Sequence, residues 1–468
     1  MPEKQKLTYL CLLLMLCSSS FAKYEEKPDS TNVFLYEFRE PFFEIPVYFD
    51  TVSISGNHFY FTSDREKTAC FYFDYGPYQC HFFAVPDEKY KILLPDISKM
   101  DEQRKKGSFY TPVPFHVNTK TGPTAITGFD LNDSIRNFNK EYEPFLSKQT
   151  LRYFQPEYAR TQLDSFLRAN YYEEHGPENT YFSDYKQYKK AILLYHLKQR
   201  NLDSLIREYF TAKPVRFEIP PYRTFFALVL GDYFDHLRRE EKFNQIYAEF
   251  ARLSVNPLRD YLQKDPLLKN DTILELVLLK ESYNAFYSDR MNKHRLISFT
   301  DSIRSDTKID LIKRSADNLK KLFTHLRPGF AAPVFTAEGI KGDRIVLKGK
   351  YDKLIYLGFC DMESMLCLQE VEYLKYLSQK HGEFIRIITI LKSSSEQELR
   401  ELSNFGGNSW QIIPWNKNRE IAELFDVRAV PSFFLIGKDG DMLLNPAPSP
   451  SENFEITLFR ILRGQGDI

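Results

Sequence analysis

The last third of the chain alternates between short β-type runs and runs with helical periodicity, and this alternation constrains the fold most strongly. Apolar runs rich in β-branched and aromatic residues at 354–359 and 384–391 predict strands, and the amphipathic segment 365–379 between them predicts a helix. Further strands are predicted at 344–347, 432–436 and 442–444, and further helices at 396–402, 419–425 and 454–462. This order predicts a mixed sheet with helices on both faces, which is an α/β domain.

The N-terminus predicts that the protein is exported. Lys4 and Lys6 precede an apolar run at residues 10–17, and the small residues Ser20 and Ala22 follow with the spacing that signal peptidases recognise. We therefore expect residues 1–22 to be a secretory signal peptide. A lipid anchor on Cys17 is the alternative, but the large Leu16 before it favours plain secretion. Because no apolar run approaches the roughly 20 residues that span a bilayer, we expect no transmembrane segment in the mature chain.

The charge composition argues against nucleic acid as a partner. The sequence has 63 basic and 63 acidic residues, so the chain has no net field that would attract nucleic acid or anionic lipid. The nine histidines are scattered and show no metal-binding spacing. We therefore expect neither a metal site nor a cofactor.

The N-terminal region predicts strands and β-hairpins. Residues 51–55 and 58–62 alternate around a Gly-Asn turn, and residues 68–74 and 78–85 flank a second turn. We expect a β-sandwich-like domain over residues 23–142.

Two cysteines of this region lie at similar distances from the second predicted turn. If Cys70 and Cys80 face each other across the strands, they form a structural cross-strand disulfide. We prefer this structural role to a redox role for the pair.

The middle of the chain has helical periodicity. Apolar residues recur at spacings of three and four, for example at Leu202, Leu205 and Ile206, and prolines separate the periodic segments. This pattern predicts an all-α domain over residues 143–326. Its ligand, whether a glycan, a peptide or another protein, cannot be chosen from the sequence.

Four ordered features of the C-terminal segment carry a family resemblance. They are PGFAAPVF at 328–335, CLQE at 367–370, Trp410, and DVRAVPSF at 426–433. Together they resemble the lead-in, the second half of the active-site motif, a frequent tryptophan and the cis-proline loop of the TlpA/ResA-type thioredoxin-like family. The resemblance implies a thioredoxin-like domain at 327–468.

The N-terminal β-region is similar to a small domain that often precedes such thioredoxin-like domains in envelope proteins of one group of Gram-negative bacteria. The matching pattern runs from Asp50 through Gly56 into the aromatic strand that follows. This similarity implies the periplasm or cell envelope of a Gram-negative bacterium as the location.

The resemblance implies a thiol–disulfide site at FCDMESMLC, residues 359–367, but with Ser-x-x-Cys in place of Cys-x-x-Cys. In this fold the first cysteine attacks a substrate disulfide as a thiolate at a helix N-terminus, and the second resolves the mixed disulfide. Here Ser364 stands at the attacking position and Cys367 at the resolving position. Gly358 stands where many thioredoxins have a buried acid, and Leu368 replaces the family's arginine. These departures predict a degenerate redox site.

Cys367 has three interpretations. It is a packed apolar residue, a partner of Cys360 in an altered redox pair, or a peroxidase-like cysteine in a Ser-x-x-Cys motif. We prefer the first. The resemblance also implies a cis bond before Pro431, beside which the main chain of Val430 pairs with an extended peptide.

Two functions therefore remain open. The first is a binding or scaffold role, in which a redox-inactive thioredoxin-like domain holds an extended peptide or an envelope protein in the groove of Ser364, Cys367, Val430 and Pro431. The second is a thiol–disulfide oxidoreductase with an altered site that uses Cys367, with Cys360 as its partner. The residues favour the first, and family membership favours the second.

Overall fold

The chain forms more than one domain, with several sheets and many helices. The computed structural model describes residues 32–37, 47–75, 78–96, 113–116, 118–121, 130–150, 156–171, 180–211, 213–237, 243–288, 291–393, 395–405 and 409–468. The predicted signal peptide at 1–22, with Cys17, lies outside these ranges. The described residues fall into two compact units, one up to Phe323 and the other from Thr324 to Ile468.

The first unit contains two β-sheets. Their strands are β1 (Asn32–Glu37), β2 (Val47–Ser53), β3 (His58–Thr62), β4 (Ala69–Tyr75), β5 (Tyr78–Ala84), β6 (Lys89–Leu93), β7 (Val113–His116) and β8 (Asn118–Thr121). One sheet has the order β2-β1-β4-β5-β7 and the other β3-β6-β8. Aromatic side chains of both sheets, including Phe61, Phe71 and Phe82, share one buried cluster. The two sheets therefore pack face to face, as the predicted sandwich requires.

The first predicted hairpin is not formed as expected. β2 pairs with β1 and β3 pairs with β6, so the two strands belong to different sheets. Only a Ser55–His58 bridge closes the tight turn between them, at Gly56 with φ of 66°. The chain uses this turn to cross from one sheet to the other. The second predicted hairpin is confirmed by the antiparallel pairing of β4 with β5.

The expected Cys70–Cys80 disulfide is absent. Cys70 lies opposite Phe83, whereas Cys80 lies opposite Phe73. Because side chains alternate between the two faces of a strand, this register directs the two cysteines to opposite faces of the sheet. Cys80 is buried in the sandwich core and Cys70 is on the other face.

The rest of this unit is helical. The described helices are α1 (Leu131–Thr150), α2 (Pro156–Tyr171), α3 (Thr180–His196), α4 (Leu202–Ile206), α5 (Pro220–Leu230), α6 (Tyr233–Leu237), α7 (Phe243–Arg252), α8 (Val255–Leu262), α9 (Asp271–Tyr287), α10 (Lys293–Asp306) and α11 (Asp310–Thr324). A π-helical turn at Arg207–Thr211 follows α4.

The helices begin earlier than the predicted boundary at residue 143. Leu131, Ile135, Phe138 and Tyr142 form a buried stripe at helical spacing along the first half of α1. Asn132, which follows Leu131 on α1, makes two hydrogen bonds to the sandwich. Its amide oxygen accepts from the main-chain N–H of Phe83 at 2.7 Å, and its amide nitrogen donates to the carbonyl of Phe83 at 2.8 Å. The helices and the sandwich are therefore packed together within one unit.

The second unit contains a mixed sheet. Its strands are β9 (Phe335–Glu338), β10 (Arg344–Leu347), β11 (Leu354–Asp361), β12 (Ile385–Lys392), β13 (Trp410–Pro414), β14 (Ser432–Ile436) and β15 (Met442–Leu444). Its helices are α12 (Met365–His381), α13 (Glu396–Phe405), α14 (Arg419–Leu424) and α15 (Phe454–Gln465), with a 3₁₀ turn at Trp415–Lys417. The main sheet has the order β13-β12-β11-β14-β15, and a separate hairpin joins β9 to β10.

Helices cover both faces of this sheet, which confirms the prediction from the strand and helix pattern. β11 is parallel to β12 and antiparallel to β14, and all eight of its residues are buried. One hydrophobic cluster joins one sheet face to α12, α13 and α15, and a second joins the opposite face to α14 and the β9–β10 hairpin. β11 is the central strand of the main sheet. Its C-terminal end and the start of α12 therefore lie at one edge of the hydrophobic core.

Candidate thiol site

The turn between β11 and α12 is held by the side chain of Asp361. Its Oδ1 atom accepts from the main-chain N–H of Glu363 at 3.0 Å, and its Oδ2 atom lies 3.0 Å from Nζ of Lys392 on the neighbouring strand. The carbonyl of Asp361 accepts from the N–H of Ser364 at 3.0 Å. Ser364 is the N-cap residue, so α12 starts immediately above this turn.

Cys367 lies in the first turn of α12, where a main-chain donor contacts its sulfur. The main-chain N–H of Asp361 donates to Sγ at 3.2 Å. The neighbouring thiol of Cys360 and hydroxyl of Ser364 act on the pKa of this thiol. Hydrogen bonding with Cys360 is the main cause that lowers the pKa of Cys367, although burial opposes it. The same hydrogen bond, together with burial, raises the pKa of Cys360.

The opposite directions of these two shifts make Cys367 the more acidic thiol of the pair. A thiolate in the first turn of a helix is further stabilised by the helix dipole. The structure therefore brings together the three residues that the sequence singled out here: Cys360, Ser364 and Cys367.

The two sulfurs are shielded from solvent. Cys360 and Cys367 are both 0% exposed, and Ser364 is half-buried. In contrast, Met365 and Leu366 on the first turn of α12 are 79% and 65% exposed. The start of α12 thus exposes apolar side chains, and neither buried cysteine can reach a substrate disulfide in this conformation.

Gly358 has a packing role at the position where the resemblance implies a buried acid. A Cβ atom at residue 358 would lie 2.8 Å from Cε1 of Phe433, on the antiparallel strand β14, and 3.6 Å from Cγ2 of Thr389. The space for an acidic side chain is therefore filled by the phenyl ring of Phe433.

Two acidic residues near the thiols were not identified from the sequence as site residues. Asp361 supplies the turn and the N–H donor, and Glu370 raises the pKa of Cys360 through its charge. Glu370 is 7% exposed and accepts from the main-chain N–H of Ser451 at 2.9 Å and from its hydroxyl. The spacing of Glu370, three residues after Cys367 on the same helix face, is the signal that was available in the sequence.

The predicted cis-proline loop lies at the same end of the sheet. The Val430–Pro431 peptide bond is cis. The next residue, Ser432, pairs with Phe359 on β11, one residue before Cys360. Val430 is half-buried and packs against both hydrophobic clusters of the unit. The loop and the start of α12 therefore both lie at the C-terminal end of β11.

Within the described ranges, no group of three or more histidine, cysteine or acidic side chains is arranged to hold a metal ion. No helix in this part of the chain has the length and apolarity needed to cross a bilayer.

Comparisons with known proteins give partial matches. No protein-family model matches the chain, and no curated protein matches it. Among solved structures, the chain is similar to a protein from Bacteroides vulgatus described as a thiol-disulfide oxidoreductase, at 23% identity, over 29% of this chain and 96% of that one, with a TM-score of 0.25. It is also similar to the C-terminal domain of a protein with the same description from Bacteroides thetaiotaomicron, at 18% identity, over 30% and 99% of the chains, with a TM-score of 0.26. A third similar structure is the exposed lipoprotein thioredoxin of Streptococcus pneumoniae, at 15% identity, over 27% and 99%, with a TM-score of 0.23.

Proposed function

We propose that this chain is an exported thioredoxin-like protein of the TlpA type that binds an extended peptide and no longer exchanges disulfides. The binding site is the groove between the start of α12 and the loop of Val430 and Pro431. Its partner is an unfolded or extended segment of an envelope protein, and the location is the periplasm or cell envelope of a Gram-negative bacterium.

One observation carries this proposal: the two thiols are buried while the apolar side chains at the start of α12 are exposed. Exchange requires a solvent-accessible thiolate at the attacking position, and Ser364 stands there with both cysteines 0% exposed. Met365 and Leu366 offer exposed apolar area at the start of α12, and main-chain pairing beside Val430 would add the peptide as a strand. These features favour binding over chemistry.

The experiment uses an unfolded ligand that has no thiols. We expect reduced, carboxymethylated α-lactalbumin to bind the purified protein, as measured by fluorescence anisotropy. Met365→Glu should weaken this binding by roughly tenfold or more, because the change removes apolar burial and introduces a charge that must be desolvated.

Ile456→Glu is the matched control, because Ile456 is 60% exposed on α15 and should not affect binding. The proposal fails if the wild-type protein does not bind the unfolded ligand, or if the two substitutions weaken binding equally.

A thiol–disulfide oxidoreductase is the second candidate, and the hydrogen bond from Cys360 to Cys367 favours it. In this mechanism the Cys367 thiolate attacks one sulfur of a substrate disulfide and releases the other as a thiolate. Cys360 then loses its proton and attacks Sγ of Cys367, which releases the second substrate thiol and leaves a Cys360–Cys367 disulfide. The start of α12 would have to move to admit the substrate.

Mass spectrometry after equilibration in glutathione redox buffers separates the two candidates. The binding function predicts that Cys360 and Cys367 remain reduced until the protein is denatured and that insulin is not reduced. A reversible Cys360–Cys367 disulfide with insulin reduction that is lost in Cys367→Ser, but kept in Cys70→Ser, would establish the enzyme instead.

A further inference from the structure

Strand β3 lies at one edge of a sheet of the first unit. Among the described strands, it pairs with β6 and stands at the end of the order β3-β6-β8. Antiparallel neighbours alternate between residue pairs that exchange two main-chain hydrogen bonds and pairs that exchange none. The main-chain groups of a residue in a pair of the second kind point away from the partner strand. On an edge strand, such groups point to the open side of the sheet.

The register shows which residues of β3 point to this open side. The N–H of Leu94 donates to the carbonyl of Asn57 at 2.8 Å, so these two residues form a hydrogen-bonded pair. Because such pairs recur at every second residue, Tyr60 and Thr62, three and five residues after Asn57, lie in the intervening pairs. The main-chain N–H and C=O groups of Tyr60 and Thr62 therefore point to the open side of β3.

These four main-chain groups have no hydrogen-bonding partner in the part of the chain that the structure describes. At the beginning of the strand, by contrast, the N–H of His58 donates to Ser55 at 3.3 Å and its carbonyl accepts from Ser55 at 2.9 Å. The Tyr60 side chain is 64% exposed, so solvent reaches this part of the edge. A partner strand therefore finds two donors and two acceptors on β3, all of them at Tyr60 and Thr62.

The β3 edge lacks the features that usually prevent strands from pairing between molecules. Natural edge strands are protected by charged side chains, prolines or bulges. The sequence of β3 is HFYFT, which contains no lysine, acidic residue or proline and is rich in aromatic residues that favour strands. Its pairing with β6 has no register shift. β3 is therefore a regular strand that is open to pairing on one side.

The arrangement of the open groups is self-complementary. When two copies of β3 lie antiparallel about a two-fold axis at Phe61, Tyr60 of each copy faces Thr62 of the other, and each such pair exchanges two hydrogen bonds. All the open donors and acceptors of both copies are then satisfied. A pairing centred on Tyr60 satisfies fewer of them, because His58 is already bonded to Ser55.

Charge also favours a second copy of the chain as the partner. The outward side chains of β3, at His58, Tyr60 and Thr62, include no carboxylate or ammonium group. Lys91 lies opposite Tyr60 on β6. In the joined sheets it would be three strand spacings from Lys91 of the other copy, roughly 14 Å, which exceeds the Debye length of about 8 Å at physiological ionic strength. The formal net charge of the whole chain is zero, so two copies do not repel each other.

We propose that two copies of this chain join through the β3 edge, with Tyr60 of each copy opposite Thr62 of the other. The two β3-β6-β8 sheets then continue into one another. The proposal is independent of the thiol site, because β3 belongs to the first unit. Since the contact is one short strand edge, the dimer is reversible and its population rises with protein concentration.

Sedimentation velocity over a concentration series gives Kd for the dimer. We expect Tyr60→Lys to raise this Kd by roughly tenfold or more, because it places a charge from each copy on one face of the shared edge. Tyr60→Phe keeps an aromatic side chain and should leave Kd unchanged. Tyr60 is exposed, so both variants should fold, which circular dichroism checks. A wild-type protein that stays monomeric, or equal Kd values for Tyr60→Lys and wild type, would overturn the proposal.

Cysteine substitutions test the register between the two copies. In a Cys70→Ser background, the Tyr60→Cys and Thr62→Cys proteins are oxidised separately and as a mixture, and linked peptides are identified by mass spectrometry. Opposite Cα atoms in a hydrogen-bonded antiparallel pair lie about 5.5 Å apart, within the roughly 4.4–6.8 Å that a disulfide allows. We expect the mixture to form a disulfide between positions 60 and 62 and to give several-fold more cross-linked dimer than either variant alone. Equal cross-linking in all three samples would contradict this register and overturn the proposal.

Discussion

The main-chain N–H of Asp361 donates to the sulfur of Cys367 across 3.2 Å, so the last residue of β11 and the first turn of α12 meet at a buried thiol. The donor is part of the backbone and cannot be removed by changing a side chain. Cys367 is therefore held in a thiolate-stabilising position even though the residue that would attack a substrate is a serine.

The first prediction concerns the proton on Cys360. Cys360→Ala removes the thiol whose hydrogen bonding lowers the pKa of Cys367, so the pKa of Cys367 should rise. Thiolate absorbance followed over a pH titration in a Cys70→Ser background measures this. Cys360→Ser keeps a hydroxyl donor and should raise the pKa less. A pKa that is unchanged in both variants would show that Cys360 does not donate.

The second prediction concerns the lost attacking position. Ser364 is the N-cap residue of α12, three positions before Cys367, and its hydroxyl acts on the pKa of that thiol, so a sulfur introduced by Ser364→Cys should form a disulfide with Cys367. We expect insulin reduction to appear, at a rate roughly 10²-fold or more below that of an enzyme with an intact general acid, because the acid position is Gly358. Ser364→Ala should remain inactive. Failure of the new pair to oxidise would contradict the geometry described for this turn.

The third prediction tests why residue 358 has no side chain. Gly358→Ala places a Cβ atom 2.8 Å from the ring of Phe433, and this overpacking should lower the free energy of unfolding by about 1–3 kcal/mol, as measured by urea denaturation. Phe433→Leu in the same protein should recover part of the loss, since it makes room for the new methyl group. Additive losses in the double variant would argue against the contact.

The fourth prediction concerns a buried carboxyl in the helical part of the first unit. Glu281 on α9 accepts from the main-chain N–H of Phe234 at 3.0 Å, and burial raises its pKa from 4.5 to about 8. The folded protein therefore keeps the proton over a pH range in which the unfolded chain loses it. Stability from this group is complete below about pH 4.5 and falls as the pH rises towards 8.

Glu281→Gln keeps a side-chain oxygen that can accept the hydrogen bond from Phe234, but the amide cannot ionise. Its melting temperature should therefore exceed that of the wild-type protein by roughly 2 °C or more at pH 8, and the difference should be small at pH 5. Glu141→Gln, at an exposed position on α1, should show no such dependence on pH. A difference that is the same at both pH values would rule out a raised pKa for Glu281.

The sequence was most informative where hydrophobic periodicity alone determines an element. The strands at 344–347, 432–436 and 442–444 have the predicted limits, and α12 begins at Met365 as predicted. The sequence was less informative about which distant segments pair. β2 and β3 belong to different sheets because each pairs with a strand elsewhere in the chain. The Cys70–Cys80 prediction failed because the residue pattern does not give the register between β4 and β5.

The candidate site shows the same limit. The sequence identified Ser364, Cys367 and Cys360, and the family resemblance placed the proline loop beside them. It did not reveal that Asp361 supplies both the turn and a donor, because a main-chain N–H has no sequence signature. Nor did it reveal that Phe433 fills the space beside Gly358, since that contact joins residues 75 positions apart.

The contact between Asn132 and Phe83 has a consequence for aggregation. β7 pairs with β5 only as far as His81. At Phe83, therefore, β5 itself forms the edge of the sheet. There the amide of Asn132 takes both main-chain hydrogen-bonding groups of Phe83, as the backbone of a neighbouring strand would. An exposed edge is a template for pairing with a second molecule. A single side chain on α1 thus blocks this position against intermolecular β-pairing while the sandwich is folded.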